Sequence, residues 1–165
     1  MSATVVDEQS AIPRAKAACK RAAETVLPGR KVVVALVDDK TMAELHERFL
    51  GVPGPTDVLS FPHGEIIVSA DTAKREAIER GIDPLGELVL YVVHGALHLA
   101  GHDDKKPKPR LKMRAAERKV LTELGFGDVF GTEEPSIKAP PRRTSARARK
   151  QADRKKAKKN RNRSS

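Results

Sequence analysis

Tryptophan is missing from this chain, and tyrosine and cysteine occur once each, as Tyr91 and Cys19, among 165 residues. A single thiol closes no internal disulfide, so a disulfide-stapled fold is excluded. Cys19 falls on the apolar spacing of a helix and reads as a small buried hydrophobe without a chemical role. No apolar run approaches the roughly 20 residues that span a bilayer, which removes membrane-spanning functions. Asp7 and Glu8 precede any apolar stretch. The basic-then-apolar pattern of a secretory signal is therefore lacking, and a cytoplasmic location is expected. At 39% apolar and 33% charged residues the composition is that of a soluble protein. The length suits one core plus an appendage, since single domains commonly run to roughly 100–150 residues.

Charge is plentiful but unevenly placed. Residues 136–165 hold 13 Lys or Arg against one acid, Asp153, a net +12, while the preceding 135 residues hold 19 bases and 21 acids, a net −2. The basic segment has Pro140 and Pro141 and no Leu, Val or aromatic residue after Ile137. It cannot bury enough apolar surface to offset its ordering entropy, so residues 131–165 are expected to form a disordered tail behind a folded domain at 1–130. Clustered cations such as Arg142, Arg143, Lys155 and Lys156 gain affinity for a phosphate backbone by releasing counterions. The tail is thus expected to bind nucleic acid rather than only to solubilise the chain.

Within the body, Ile12, Ala15, Cys19, Ala22 and Val26 recur at three or four residues and predict a first helix ending near Pro28 and Gly29. Val32–Val37 is a β-branched run fit for a buried strand, and Thr41–Phe49 reads as a short helix. Thr56–Phe61 and Glu65–Ser69 read as strands flanking a Pro-His-Gly turn, able to pair as a hairpin. A helix over Thr72–Arg80 is expected to be capped by Ser69 or Asp71 and to stop at Gly81. The spacing from Pro84 to Ala100 predicts another, with an apolar stripe through Leu85, Leu88, Val89, Val92, Val93, Ala96, Leu97 and Ala100. Its opposite side carries Glu87, Leu90, Tyr91, His94 and His98, so it is expected to be the central buried helix. A last helix is predicted over Leu111–Leu124. Helices with a few irregularly spaced strands indicate an α+β fold.

His94 and His98 lie one helical turn apart on one face, where two imidazoles can converge on one ion. His102 cannot join them on a continuing helix, because eight residues advance about 12 Å while metal bonds are about 2 Å. Gly101 can end the helix and turn the chain back, which makes His102, Asp103 and Asp104 the candidates for a third ligand. A lone histidine on such a helix would be a satisfied core residue. A pair followed by a Gly break and a His-Asp-Asp cluster points to metal, since burying several polar groups without strong partners is costly.

The run from His94 to Asp104, His-Gly-Ala-Leu-His-Leu-Ala-Gly-His-Asp-Asp, resembles the zinc-binding signature of the YbeY family of bacterial rRNA-maturation endoribonucleases. Pro55–Pro62, Pro-Thr-Asp-Val-Leu-Ser-Phe-Pro, resembles that family's other signature. Gly64–Ile67 resembles the strand that follows it, Met113 also matches, and the likeness runs from about Val32 to Gly127. It implies a small mixed four-stranded sheet packed with about five helices and one zinc ion held by three residues. It also implies metal-dependent cleavage of single-stranded RNA in 16S rRNA 3′-end maturation and ribosome quality control. Small-subunit ribosomal proteins and an assembly GTPase are the implied partners.

The family's third ligand, a histidine, aligns with Asp104, and a carboxylate can also ligate zinc; His102 is the rival. A basic residue before the second signature aligns with Leu50, and Arg48 is the candidate to replace it. His46 aligns with a family asparagine and joins Thr56, Asp57 and Ser60 as candidate substrate-lining residues. Glu65, Asp57, His63, His46 and the substrate's own 2′-hydroxyl are candidates for the general base. Gly95 stands where His-Glu-x-x-His zinc peptidases place their general-base glutamate, which argues against peptide hydrolysis. An rRNA-binding assembly factor with a structural metal is the remaining alternative.

Overall fold

The computed structural model describes residues 3–7 and 11–130. The tail at 131–165, with Arg142, Arg143, Lys155 and Lys156, lies outside the described residues. Four strands, β1 (Ala3–Asp7), β2 (Val32–Val37), β3 (Val58–Phe61) and β4 (Glu65–Ser69), form one sheet in the order β1-β2-β4-β3. β1 and β4 run parallel to β2, and β3 pairs antiparallel with β4 as the expected hairpin. Five helices accompany the sheet: α1 (Ala15–Val26), α2 (Asp39–Leu50), α3 (Ala70–Arg80), α4 (Pro84–Leu99) and α5 (Pro107–Glu123), followed by a 3-10 turn at Gly127–Phe130. This is the α+β fold that the residue pattern predicts, with the mixed four-stranded sheet and five helices that the family resemblance implies.

The two faces of the sheet are unequal. On one side Val32, Val34, Leu36, Ile66 and Val68 pack with α1 and α4 in the main core. On the other, Met42 of α2 meets Leu59 and Ile67 in a small second cluster, with Phe61 at its margin. β4 is buried on both faces from Ile66 to Ser69, as an interior strand with a helix on each side must be. Cys19 is fully buried in the main core, and burial, followed by the nearby charge of Asp7, pushes its thiol up to about 12, so it stays neutral and inert.

Helix α4 occupies the centre. Asp83 caps it by accepting from the Leu85 amide at 2.9 Å, and Pro84 starts it where no amide is needed. Every residue from Gly86 to Leu97 is buried, and the helix touches α1, α3, α5, β3 and β4. Its acid Glu87 is matched by Arg80 of α3 at 2.5 Å. α2 and α3 are tied at their N-termini by Asp39, whose carboxylate accepts from Ser69 (2.8 Å), Thr72 (2.7 Å) and Arg75 (2.7 Å).

Candidate metal centre

The chemistry-bearing end of α4 is its C-terminus. There the Gly101 amide donates to the His98 carbonyl at 3.1 Å and the His102 amide to the Leu97 carbonyl at 3.0 Å. That bond pair is a Schellman motif and requires the left-handed conformation that Gly101 adopts, with φ at 102°. The motif reverses the chain, so residues just past the helix return alongside its last turn.

Three side chains meet there. The His94 and His98 rings stand edge to face with centroids 4.7 Å apart. Their Nε2 atoms are 3.1 Å apart, and Asp104 Oδ2 lies 3.6 Å from the first and 3.7 Å from the second. Donors on a tetrahedral zinc at about 2.0–2.2 Å would be about 3.3–3.6 Å from one another, so this triangle fits such an ion. Asp104 and His94 are buried, whereas the His98 side chain is 25% exposed, so the centre opens to solvent on the His98 side. The chain brings Asp104 into the cluster, and His102 and Asp103 do not join it. Asp103 instead accepts from the Lys105 amide at 3.0 Å, shaping the loop.

A fourth residue stands behind the triangle. Glu117 of α5 is buried, and its Oε1 lies 2.5 Å from His94 Nδ1. A carboxylate can only accept here, so Nδ1 carries the proton and the Nε2 lone pair is left facing Asp104 and His98. This is the carboxylate–histidine arrangement that fixes ring orientation at metal sites. Sequence reasoning passed over Glu117, although a signal was present: it sits four residues from both Met113 and Leu121, the other two buried positions of α5.

Gly95 is explained by packing. A Cβ there would stand 2.8 Å from Ile66 Cγ2 and 3.1 Å from Val58 Cγ2, so the helix presses its glycine against the β3–β4 hairpin. A glutamate in that slot would be driven into apolar sheet side chains, which removes room for a peptidase-type base. Arg30, in the loop after α1, holds the same contact from outside. One guanidinium nitrogen donates to the Leu99 carbonyl at 2.9 Å and the other to the Pro62 carbonyl at 3.0 Å. It thereby satisfies a helix-end carbonyl and clamps the hairpin turn to the end of α4 that bears His98.

The remaining candidates are more dispersed. Ser60 shares the sheet face of Val58, the one α4 covers. Thr56 and Asp57 are buried; Asp57 Oδ1 accepts from Thr56 Oγ1 at 3.3 Å and from the Val58 amide at 2.9 Å, and its carbonyl accepts from the Ser69 amide. They shape the opening of β3. His46 is buried, with Nδ1 donating to the Gly54 carbonyl at 2.8 Å and Nε2 without a hydrogen-bond partner among the described residues. It braces the loop between α2 and β3. His63 and Glu65 pair with each other at 2.9 Å, and Glu65 stands in register with Phe61, on the face α2 covers. Arg48 is exposed, its guanidinium 5.5 Å from the Phe49 ring centroid.

Comparison with known proteins adds a family to this geometry. The family described as Endoribonuclease YbeY matches residues 3–125. The Endoribonuclease YbeY of Rhodopirellula baltica is 39% identical over 132 residues, covering 74% of this chain and 68% of that protein. That of Cutibacterium acnes is 39% identical over 97 residues, covering 48% of this chain and 63% of that protein, just under two thirds of its length. The solution structure of TM1509 from Thermotoga maritima superposes with a TM-score of 0.53 at 26% identity, over 80% of this chain and 99% of that one.

Proposed function

The chain belongs to the YbeY family, and from that premise we propose that it is a zinc-dependent endoribonuclease that cleaves single-stranded RNA in the maturation of the 16S rRNA 3′ end and in ribosome quality control. One observation carries the reading: His94, His98 and Asp104 present a ligand triangle of tetrahedral dimensions that is backed by Glu117 and open on the His98 side. A zinc ion held by these three would supply Lewis acidity at a phosphoryl oxygen and activate water near neutral pH. Glu117 keeps His94 in the tautomer that can ligate, and Asp104 adds a hard anionic donor in place of a third imidazole. Ser60, at the α4-facing side of the edge strand, lines the approach, while Thr56, Asp57 and His46 hold the loop and strand that form it. Arg48, on the exposed end of α2, and the basic tail supply phosphate affinity. His63 and Glu65 face away from α4, and Asp57 and His46 are buried. The cytoplasm, small-subunit ribosomal proteins and an assembly GTPase complete the setting.

The test is to incubate the full-length protein with a labelled single-stranded RNA, the same sequence as a duplex, and a peptide, each with and without a zinc chelator. Chelator-sensitive cleavage of the single strand alone supports the proposal. RNA binding without cleavage would favour an assembly factor with a structural metal, and peptide cleavage would overturn the reading of Gly95.

A further inference from the structure

Few rings are available to this chain, and their distribution is uneven. It has four Phe, one Tyr and no Trp. Tyr91 is buried, and Phe126 and Phe130 pack against the main core. The other two, Phe49 and Phe61, stand together at the hairpin edge of the sheet. Phe49 is 52% exposed and belongs to neither apolar cluster, so the fold gains little by having a ring there. Its edge meets Phe61 with centroids 5.1 Å apart, and Phe61 stacks on the His63 ring at 5.7 Å and 23°. The result is a ladder of three rings with a cation at one end, Arg48 over Phe49, and an imidazole at the other whose side chain is 68% exposed. The Glu65 carboxylate beside it is engaged by His63. Arg30 donates to the carbonyl of Pro62, the residue between Phe61 and His63, and also to Leu99 next to His98. Arg30 thus ties the backbone of the turn that carries Phe61 and His63 to the ligand-bearing end of α4, while the Phe61 ring lies on the α2 face of the sheet.

We propose that Phe49, Phe61 and His63 form a stacking platform for unpaired nucleobases, with Arg48 and Arg30 beside the intervening phosphates. It rests on the reading that the substrate is single-stranded RNA, and it supplies a physical reason for that preference. Solvent-facing Phe49 and His63 at the two ends of the ladder, with Arg48 beside the first, offer a single strand π-faces for its bases and a charge for its phosphate. A duplex keeps its bases stacked on one another and offers them no such surface. Aliphatic side chains exposed elsewhere, Val6, Val33 and Ile78, offer no ring for a base to stack on.

The deciding experiment measures equilibrium binding of the zinc-loaded full chain to two fluorescent 12-mers of equal charge at fixed salt. One is single-stranded RNA, kept on ice and checked for integrity on a gel; the other is an abasic ribose-phosphate chain. Phe49→Leu and Phe61→Leu should each weaken the base-bearing strand by roughly 5- to 150-fold and leave the abasic strand unchanged. Phe49→Trp should restore or tighten binding. Because Phe61 also borders the small apolar cluster, Phe49→Leu decides if Phe61→Leu unfolds. Equal losses on both strands, or none on either, would overturn the platform. Cleavage assayed on the same samples separates the two claims. Base-dependent binding without cleavage leaves the platform standing and removes the nuclease, whereas cleavage with base-independent binding does the reverse.

Discussion

Replacing Glu117 with Gln isolates the part of the candidate metal centre that lies outside its three candidate donors. The residue is buried and sits 2.5 Å from His94 Nδ1, so the amide keeps the shape and can still accept a hydrogen bond, while the charge that makes the imidazole a stronger donor is lost. Loss of such a partner typically lowers metal affinity by about 10- to 100-fold, or about 1.4–2.7 kcal/mol. At free zinc equal to 100 times the wild-type Kd, binding stabilises the native state by about 2.7 kcal/mol. The same zinc would stabilise the variant by only about 1.4 kcal/mol for a tenfold loss or about 0.4 kcal/mol for a hundredfold loss. Competition against a chromophoric chelator reads the affinity, and paired denaturation curves with and without zinc read the stabilisation. Glu117→Leu should weaken zinc further, because it leaves the His94 N–H buried without its acceptor and frees the ring to change tautomer. A Glu117→Gln protein that is folded and binds zinc within twofold of wild type would refute the assignment.

Three other outcomes follow from the same structure. Gly95→Ala gains about 1 kcal/mol of helix propensity but forces a methyl to 2.8 Å from Ile66 and costs about 1–3 kcal/mol of overpacking, so urea denaturation of the zinc-free protein should show a net loss of roughly 0–2 kcal/mol. Burial raises the Asp39 carboxyl, but hydrogen bonds from Arg75, Thr72 and Ser69 and the Arg75 charge outweigh it and hold the group below its usual 3.8. Its stabilising effect is therefore present above about pH 4 and lost as pH falls through the lower native value, so the stability gap between wild type and Asp39→Asn should shrink on acidification below about pH 4. Removing residues 136–165, net +12, should flatten the dependence of RNA affinity on salt, measured as the slope of log K against log salt concentration.

How far this was legible in the sequence varies with the physics of each element. α4 was, because a helix buried on all sides must be apolar on all sides, and its boundaries carry a Pro start and a Gly stop. β1 was not read from the residue pattern: Thr4 and Val6 face outward, and what makes Ala3–Asp7 a strand is parallel pairing with β2, Ala3 to Val32 through Asp7 to Leu36. α5 begins at Pro107 rather than near Leu111, because prolines cost little in a first turn whose amides lack helical acceptors anyway. His94 and His98 follow from helical spacing. Spacing left His102, Asp103 and Asp104 open and the family resemblance favoured Asp104; the loop after Gly101, whose path is set by the Schellman bonds, brings Asp104 to the two histidines. Glu117 was readable as an acid on a core stripe. Arg30 was not, since both of its partners are backbone carbonyls, 32 and 69 residues away in sequence.

RNA is expected to be cut through an ion held by His94, His98 and Asp104. This is tested most directly by measuring bound zinc and single-stranded RNA cleavage on the same preparations of wild type, His98→Ala, Asp104→Ala and His102→Ala. Near-stoichiometric zinc and cleavage are expected in wild type and His102→Ala, and loss of both together in His98→Ala and Asp104→Ala. Cleavage that survives the loss of zinc in His98→Ala would contradict it, as would full zinc in Asp104→Ala beside its loss in His102→Ala.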